Sequence, residues 1–417
     1  MPVHSLVMPA SRRADLPLSS PARRVGFTLV LALAMGTGTF PAAAYGVLGP
    51  DLIEQFGLTL VELGLLTTTF FLVGGTLSLL AGPLTDRLGG RRVMVSSFVV
   101  VAVAVLGMSW ASNIAVMLGW SAVAGFALAT GNPVTNKLVS LHLPVGQRGL
   151  TMGGKQAGVQ LGVFLAGAVL APLSAIVDWR LALAVTAAVP ALAAGATFLL
   201  VPRDPDEPTS AAPASRHPLG AGIGLLAVYA ALMGIATSCV YAYLSVYLTA
   251  SAEFSPAQAG GVVAVMGLTA LSARIAWGWA SEKVPSLAVP LVAFGIGGSI
   301  SALVLIGLDD ANPWLAYVIA ALLGTTVLAW NSVGMMAVLG AAGPGSAGRA
   351  SGIVLFGFYV GFAPGPIAFG WIVDASGQYS LAWIMVASSM AAAAIVAAIW
   401  RRSERTGAVL AVAQLPT

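Results

Sequence analysis

Charge is scarce in this chain. Only 8% of its 417 residues are charged, whereas 58% are hydrophobic. A typical soluble domain carries about 25% charged residues, so this composition excludes a soluble globular protein. The single cysteine, Cys239, excludes an intramolecular disulfide, and the sequence has no metal-binding motif. It also shows no nucleotide-binding loop and no nucleophile–base pair, so we expect no enzyme activity, no cofactor and no metal site.

What the chain has instead is a series of apolar runs long enough to cross a bilayer, which takes about 20 residues. They are too long and too rich in Gly and Ala for the strands of a barrel, and backbone groups inside lipid must be hydrogen-bonded internally. The sequence therefore predicts an all-α membrane protein. We number its expected spans 1 to 12 in chain order: 25–48, 59–81, 93–112, 114–140, 150–176, 180–201, 220–248, 257–280, 286–308, 313–340, 351–373 and 380–400.

A single long polar stretch, rich in Pro, Ser and acidic residues, divides these spans into six and six. Such a composition is typical of a flexible linker. We therefore predict two six-helix bundles, 25–201 and 220–400, joined by a linker at 202–219. The segments 1–24 and 401–417 are expected to be tails.

Basic residues indicate the orientation of the chain. Of the 19 Lys and Arg residues, 15 fall on the side of the tails and the linker, Arg180 falls on the other side, and three lie in spans. This bias places both termini in the cytoplasm. The net charge of +4 then reflects topology and gives no reason to expect nucleic acid as a partner. We expect a monomer in the cell (inner) membrane of a bacterium.

The two halves of the chain repeat one another at a nearly constant spacing. Segment 59–64 is echoed at 255–260, and segment 82–86 at 278–282. Single residues recur in the same way: Gly38 with Gly234, Tyr45 with Tyr241, Asn132 with Asn331, and Gly149, Gly153, Gly158 and Gly162 with Gly348, Gly352, Gly357 and Gly361. A duplicated membrane unit is how carriers build a central site that opens to either side.

Two local patterns inside the repeat have a structural meaning. Thr59 with Glu62, and Ser255 with Gln258, predict capping boxes at the starts of spans 2 and 8. The paired glycines of spans 5 and 11 predict close helix packing. We expect this packing to lie across the seam, the interface between the two bundles.

The segment Gly82-Pro-Leu-Thr-Asp-Arg-Leu-Gly-Gly-Arg-Arg-Val93 resembles the signature loop between spans 2 and 3 of the major facilitator superfamily, whose pattern is G-x-L-a-D-R-x-G-R-K. Gly90 stands where the family usually has a basic residue, and a degenerate copy begins at Gly278. The resemblance implies a twelve-span fold and a conformational latch that holds the halves together when the carrier faces outward. We assign to this latch Gly82, Asp86, Arg87, Arg91, Gly278 and Glu282.

A second family motif, on span 4, departs from its pattern. The segment from Leu118 to Gly125 keeps the frame, but Ser121 replaces the arginine that the family associates with proton coupling. The G-P-x-x-G-G motif of drug/proton antiporters is missing from span 5. Both departures disfavour proton antiport.

Ionisable residues within the spans carry the functional prediction. No acidic residue and no histidine falls in the middle of a predicted span, but Lys155 and Arg274 do lie within spans, and Lys137 lies near the end of one. A cation at mid-bilayer costs about 2.5–3.5 kcal/mol. With no neighbouring carboxylate in sequence, these cations predict a cavity that binds an anion. Snorkelling to the headgroups, or membership of the latch for Arg274, is the alternative.

Weaker likenesses agree with an anionic substrate. The segment from Arg274 to Gly278 resembles the span-8 arginine of the oxalate/formate and monocarboxylate branches of the superfamily. The segment from Lys155 to Gly162 resembles bacterial carriers of small anions.

Uncharged polar residues on the same spans are further candidates for the substrate site. Tyr45 and Tyr241 serve either as hydrogen-bond donors or gates, or as interfacial anchors. Asn132 and Asn331 contact substrate or join helices. Gln156 is also a candidate for the substrate site. Gln160, Tyr359 and Trp330 are weaker candidates.

The sequence therefore predicts a secondary active transporter that moves a small, carboxylate-like organic anion by alternating access, through exchange or uniport. The alternative within the same family is efflux of drugs. A receptor that kept the carrier fold but lost transport is a third interpretation.

Overall fold

The structure is a computed structural model that describes residues 18, 20–144, 147–204, 222–281, 283–308, 312–342 and 347–413, except the side chains of 149, 347, 348 and 403–413. Within that part the chain is helical and contains no strand, and twelve helices are long and apolar enough to span a membrane. In order, they are Pro21–Val47, Leu60–Leu88, Gly90–Ser109, Ile114–His142, Leu150–Ile176, Trp179–Leu200, Ile223–Ser251, Pro256–Ala280, Ala288–Leu305, Pro313–Ala341, Arg349–Ser376 and Tyr379–Arg402.

The predicted all-α membrane fold is confirmed, and the boundaries differ by a few residues. The largest difference concerns span 2, which continues to Leu88 and so carries Asp86 and Arg87 in its last turn. A short helix, Gly49–Phe56, follows span 1. We refer to spans 1 to 6 as the N-terminal bundle and to spans 7 to 12 as the C-terminal bundle.

Both predicted capping boxes are confirmed. Thr59 Oγ1 accepts from the Glu62 amide at 3.2 Å, while Glu62 Oε2 accepts from the Thr59 amide at 2.9 Å. Ser255 and Gln258 make the equivalent pair at the start of span 8. Each box satisfies backbone donors where a helix enters the membrane.

The paired glycines do pack closely, but the expectation that they lie across the seam was wrong. A Cβ on Gly162 would meet the Gly36 carbonyl oxygen at 2.7 Å, so span 5 packs on span 1 of the same bundle. A Cβ on Gly357 would meet the Ala227 carbonyl oxygen at 2.5 Å, so span 11 packs on span 7. Close packing of small residues is common to both kinds of interface, and sequence alone does not tell them apart.

Several spans are discontinuous. Span 10 consists of Pro313–Thr326 and Trp330–Ala341, separated by a turn. Span 5 runs as Arg148–Leu165, a π-helical turn Ala166–Leu170, and Ala171–Ile176. Span 11 is Ala347–Phe362 followed by Pro364–Ser376, and span 6 is Trp179–Thr186 followed by Ala188–Leu200. Irregular backbone at membrane depth is tolerated where it is buried in protein or lines a cavity.

The seam is closed at one end. We call the end at which span 1 begins and span 12 ends the tail end, and the opposite one the far end. Four hydrogen bonds between described residues join the bundles, and all lie in the far half: Thr68 Oγ1 to the Ala363 carbonyl, Tyr243 OH to the Leu60 carbonyl, and the amides of Leu60 and Val61 to the Asp374 carboxylate.

At the tail end the bundles are apart. A Cβ added to Gly82, Gly153, Gly278 or Gly352 would meet no atom within 4 Å. Gly153 and Gly352 are both exposed. The space between the bundles is therefore reached from the tail end.

Candidate functional site

A central cavity of about 100 Å³ lies between the two bundles and takes its lining from spans 1, 2, 4, 5, 7, 8, 10 and 11. This is several times the roughly 10–15 Å³ that one water molecule needs, so the cavity has room for a small solute. Its polar lining residues are Thr39, Asn132, Gln156, Thr237, Tyr241, Arg274, Asn331 and Tyr359. No described carboxylate and no described histidine is among the lining residues.

Arg274 is the charged residue of the cavity wall, and the break in span 10 holds it in place. In an unbroken helix the Leu328 carbonyl would accept from the Ser332 amide. That amide donates instead to Ala329, at 3.1 Å, and Arg274 Nε donates to the Leu328 carbonyl at 3.1 Å. Neither terminal nitrogen of Arg274 donates to a described residue. The guanidinium is thus anchored by one nitrogen and presents two others.

Lys155 is completely buried and does not line the cavity. Its ammonium donates to Thr135 Oγ1 at 2.8 Å, to Asn136 Oδ1 at 2.5 Å and to Asn132 Oδ1 at 3.4 Å. An ammonium has three N–H donors, and all three therefore go to uncharged acceptors on span 4. No carboxylate of a described residue lies within 4 Å of it.

Asn132 connects Lys155 to the cavity. Its Oδ1 also accepts from Gln156 Nε2 at 3.2 Å. Two donors are directed at Oδ1, so the side-chain amide nitrogen of Asn132 is the group that can contact a solute in the cavity. This nitrogen donates to no described residue. Asn331 lies in the opposite wall, and both asparagines are about 15 Å from the tail end along their helices.

The two repeat-related tyrosines occupy different environments. Tyr241 lines the cavity, as a substrate-site residue would. Tyr45 is buried inside the N-terminal bundle, where its hydroxyl lies 3.6 Å from Met108 Sδ. The structure therefore brings Arg274, Asn132, Asn331, Gln156 and Tyr241 together, and it places Tyr45 and Lys155 behind the wall.

The latch residues that the structure describes make no hydrogen bond or ion pair across the seam in this conformation. Asp86 forms an ion pair with Lys137 at 3.3 Å, and Lys137 also donates to the Thr85 carbonyl at 2.8 Å. This lysine therefore caps the last turn of span 2. Arg87 is exposed. An added Cβ on Gly82 or Gly278 would touch nothing. Glu282 lies outside the described residues.

Arg91 is engaged within the N-terminal bundle. Its Nη2 donates to the Phe198 carbonyl at 2.7 Å, and its guanidinium lies 5.2 Å from the centre of the Phe198 ring. Asp204, at the start of the linker, accepts from the amides of Gly90 and Arg91 and so caps span 3. We did not predict this cap, although an acidic residue one loop away from a helix start is a possible signal for it.

Aromatic residues make up a further part of the cavity lining, which we call the aromatic wall and which the sequence analysis did not predict. Phe71, Trp330, Phe358, Tyr359 and Phe362 all line the cavity. They come from spans 2, 10 and 11, so no local periodicity connects them. Of the five, the sequence analysis named only Trp330 and Tyr359, because aromatic residues are common in every span.

The sequence and the fold both match a known family. The sequence model of the Major Facilitator Superfamily matches residues 27–339 and 226–414. The chain belongs to the major facilitator superfamily. Solved structures of the superfamily share the fold: a mutant of the nucleoside transporter NupG superposes with a TM-score of 0.75, at 13% identity, over 91% of this chain and 99% of that one. A bacterial Spinster homologue, inward-facing and unoccupied, gives a TM-score of 0.69 at 17% identity, over 91% and 96% of the two chains.

Curated superfamily members with related sequences include transporters named for anions. A probable nitrate/nitrite transporter, NarK2 of Mycobacterium tuberculosis, is 31% identical over 58% of this chain and 63% of its own length. A probable sulfoacetate transporter, SauU of Cupriavidus necator, is 25% identical over 34% of this chain and 33% of its own. The 4-hydroxybenzoate transporter PcaK of Pseudomonas putida is 26% identical over 38% and 36%. The chain thus matches about a third of two of these relatives and somewhat under two thirds of the other.

Proposed function

We propose that this superfamily transporter carries a small organic anion, with Arg274 as the residue that binds its negative charge. The observation that carries the proposal is a guanidinium in the wall of the central cavity, held by one nitrogen and free at two. A planar fork of this kind matches a carboxylate, which takes two parallel hydrogen bonds.

The charge balance of the site favours an anion. A cation at membrane depth is costly, and no described carboxylate lines this cavity to offset it. A bound anion would supply the missing charge. A cationic solute would meet a like charge in a poorly hydrated space, where repulsion is strong.

The broken span 10 adds a second favourable feature. Its tail-end half, Trp330–Ala341, begins at the cavity with Trp330 and Asn331 in the wall, and no side chain caps it. The start of a helix carries a partial positive charge, and discontinuous helices of transporters direct such ends at anionic groups. Arg274 and this helix start therefore favour the same kind of ligand.

Alternating access would follow from the closed far end and the open tail end. The empty carrier must enclose an unneutralised guanidinium to change conformation, and a bound anion removes that obstacle. Such a carrier favours exchange of one anion for another, or uniport, over proton symport. No described acid or histidine lines the cavity to bind a coupling proton. The similarity to transporters named for nitrate, sulfoacetate and 4-hydroxybenzoate agrees with an anionic substrate.

The orientation is part of the proposal. We infer that the tail end faces the cytoplasm of a bacterial cell, because the basic residues concentrate there. The chain then has both termini in the cytoplasm, and the structure corresponds to an inward-facing carrier. We propose that one chain transports as a monomer, since the cavity is built from the two bundles of a single chain.

Drug efflux remains the second candidate, and the aromatic wall is the observation that favours it. An apolar, uncharged drug would find suitable contacts there, although Arg274 would gain no partner from it. A panel of neutral drugs added as competitors in the anion assay separates the two functions.

The test is exchange of labelled small carboxylates in proteoliposomes that contain the purified full chain. We expect preloaded anion to stimulate uptake. We expect Arg274→Gln to reduce this exchange roughly 100-fold, because it removes one partner of a hydrogen-bonded charge pair. Arg274→Lys should retain some binding but lose the two-pronged contact.

Lys283→Gln is the matched control. Lys283 is an exposed basic residue just beyond the same span, with its Nζ 3.3 Å from the centre of the Trp279 ring, and it does not line the cavity. This variant should exchange anions at the parent rate. Full exchange by Arg274→Gln, or no exchange of any anion by the parent, would refute the proposed function.

A further inference from the structure

The aromatic wall is a continuous surface that spans the seam. Phe71 of the N-terminal bundle lies 3.8 Å from Phe362 and 6.5 Å from Tyr359, measured between ring centroids. Phe358 lies 5.0 Å from Phe362 and 5.4 Å from Trp330. The rings therefore form a connected patch in the cavity lining, in which Phe358 and Tyr359 are half-buried while Phe71, Trp330 and Phe362 are almost fully buried.

The cavity offers direct contact to only one cationic group among the described residues. Lys155 gives its three donors to Thr135, Asn136 and Asn132, so none is left for a ligand. Arg274 keeps two terminal nitrogens without a described partner. A substrate with one negative charge can be fully paired here, whereas a second carboxylate would have only uncharged amides and hydroxyl groups to contact.

Lys155 acts instead on the amide of Asn132. Because Lys155 and Gln156 both donate to Oδ1, the Asn132 amide nitrogen is directed away from them and becomes a neutral donor. Asn132 and Arg274 belong to different bundles, so a carboxylate that contacts both would bridge the seam.

We propose that the site selects a monocarboxylate with a flat apolar body, whose carboxylate binds Arg274 and whose body lies against Phe71, Phe358, Tyr359 and Phe362. This inference rests on the proposed anion transport and adds the class of the anion. Ring faces and edges attract one another at centroid distances of 4.5–7 Å, beyond the effect of buried area alone. A saturated body of similar size lacks this term, and a bare oxyanion leaves the aromatic wall uncovered.

The experiment measures competition against labelled benzoate exchange in proteoliposomes of the full chain. The competitors are acetate, nitrate, cyclohexanecarboxylate and terephthalate, all at one pH and one ionic strength. We expect unlabelled benzoate to compete best, cyclohexanecarboxylate roughly 2- to 10-fold more weakly, and acetate, nitrate and terephthalate weaker still.

A matched pair of variants locates the preference. Phe71 is 5% exposed and lines the cavity, whereas its neighbour Phe70 is fully buried and does not line it, with the two ring centroids 4.9 Å apart. Phe71→Leu should lower the preference for benzoate over acetate several-fold, while Phe70→Leu should leave it unchanged. A ratio of two substrates is insensitive to the amount of folded carrier.

The outcomes separate this inference from the proposed function. If acetate, nitrate or terephthalate competes as well as benzoate, or if Phe71→Leu leaves the preference intact, the substrate class is wrong while anion transport stands. If the parent exchanges neither benzoate nor any of the other anions, the proposed function is refuted and this inference with it.

Discussion

The two ends of the seam use the same small residue in opposite ways. At the far end, glycines allow the backbones to touch: a Cβ on Gly370 would lie 2.6 Å from the Val61 amide nitrogen, and one on Gly46 would overlap the Tyr241 carbonyl. At the tail end, the repeat-related Gly153 and Gly352 face open space. The difference follows the closure of the seam at the far end and its opening at the tail end.

Charge differs between the ends in the same way. At the far end, Asp374 of span 11 accepts from the amides of Leu60 at 3.1 Å and Val61 at 2.9 Å, so a carboxylate of one bundle caps a helix of the other. At the tail end, Asp86 pairs with Lys137 of its own bundle. A carboxylate at a helix start is stabilised by the helix dipole. At the closed end the carboxylate of Asp374 therefore contacts the other bundle. At the open end the carboxylate of Asp86 contacts its own bundle.

The largest expected effect comes from filling a far-end glycine. Gly46→Leu should prevent the far end from closing, because the side chain would overlap the Tyr241 backbone. We expect the far end to open in nearly all molecules and transport to fall more than tenfold. Spin labels on the exposed Gln55→Cys and Gln378→Cys, in a Cys239→Ala background, report the separation by pulsed electron paramagnetic resonance.

The matched control for that variant is Gly153→Leu, which adds the same side chain where nothing would touch it in this conformation. It should leave the far-end distance short. Transport should still fall if the tail end must close during the cycle. Equal distance distributions for Gly46→Leu and the parent would show that the far-end contact is not what closes the seam.

An intermediate effect is expected from the cap between bundles. Asp374→Ala removes the acceptor of two span 2 amides, and losing a helix cap costs about 0.5–2 kcal/mol. Because the cap exists only when the far end is closed, the open population should rise roughly 2- to 30-fold. The same pair of spin labels measures it.

Thr59→Ala is the control for the cap. Thr59 directly precedes span 2 and caps the same helix start, because its side chain accepts from the Glu62 amide. Its loss should lower the thermal unfolding temperature without changing the distance between bundles. If Thr59→Ala and Asp374→Ala shift the distance equally, the Asp374 contact is not specific to the closed end.

The smallest effect concerns acidity at the far end. The pKa of Asp51 is raised above its ordinary value of 3.8, first by burial and then by the charges of Glu54 and Asp178. The Asp51 carboxyl therefore binds a proton more readily in the folded protein than in the unfolded chain. Its contribution to the free energy of unfolding should rise as the pH falls from neutral towards the raised pKa. Asp51→Asn should be at least as stable as the parent at pH 7.

Thermal unfolding of the solubilised protein at pH 7 and pH 5 measures this effect, with Glu253→Gln as the control at a far-end acid that is exposed. The parent should gain more stability on acidification than Asp51→Asn does. If Asp51→Asn is less stable than the parent at pH 7 and has the same pH dependence, the surroundings of Asp51 do not destabilise its ionised form.

The fold was largely predictable from the sequence, and the site only in part. Capping boxes such as Thr59 with Glu62 involve residues three apart, so their hydrogen bonds can be inferred locally. Arg274, Asn132 and Asn331 were identified because polar residues are conspicuous in apolar spans. Phe71 and Phe358 were not, because an aromatic side chain in a membrane helix carries no sign of the face on which it lies.

The chain by itself determined where the helices lie, because every backbone group in lipid must find its partner within the same span. It also determined that positive charge without negative charge lies at membrane depth. Only the tertiary structure decided that Lys155 is enclosed by the acceptors of span 4, while Arg274, held by the carbonyl that the break in span 10 releases, faces the cavity. That outcome depends on which acceptors neighbouring helices bring within about 3 Å, and no spacing along the chain encodes such a distance.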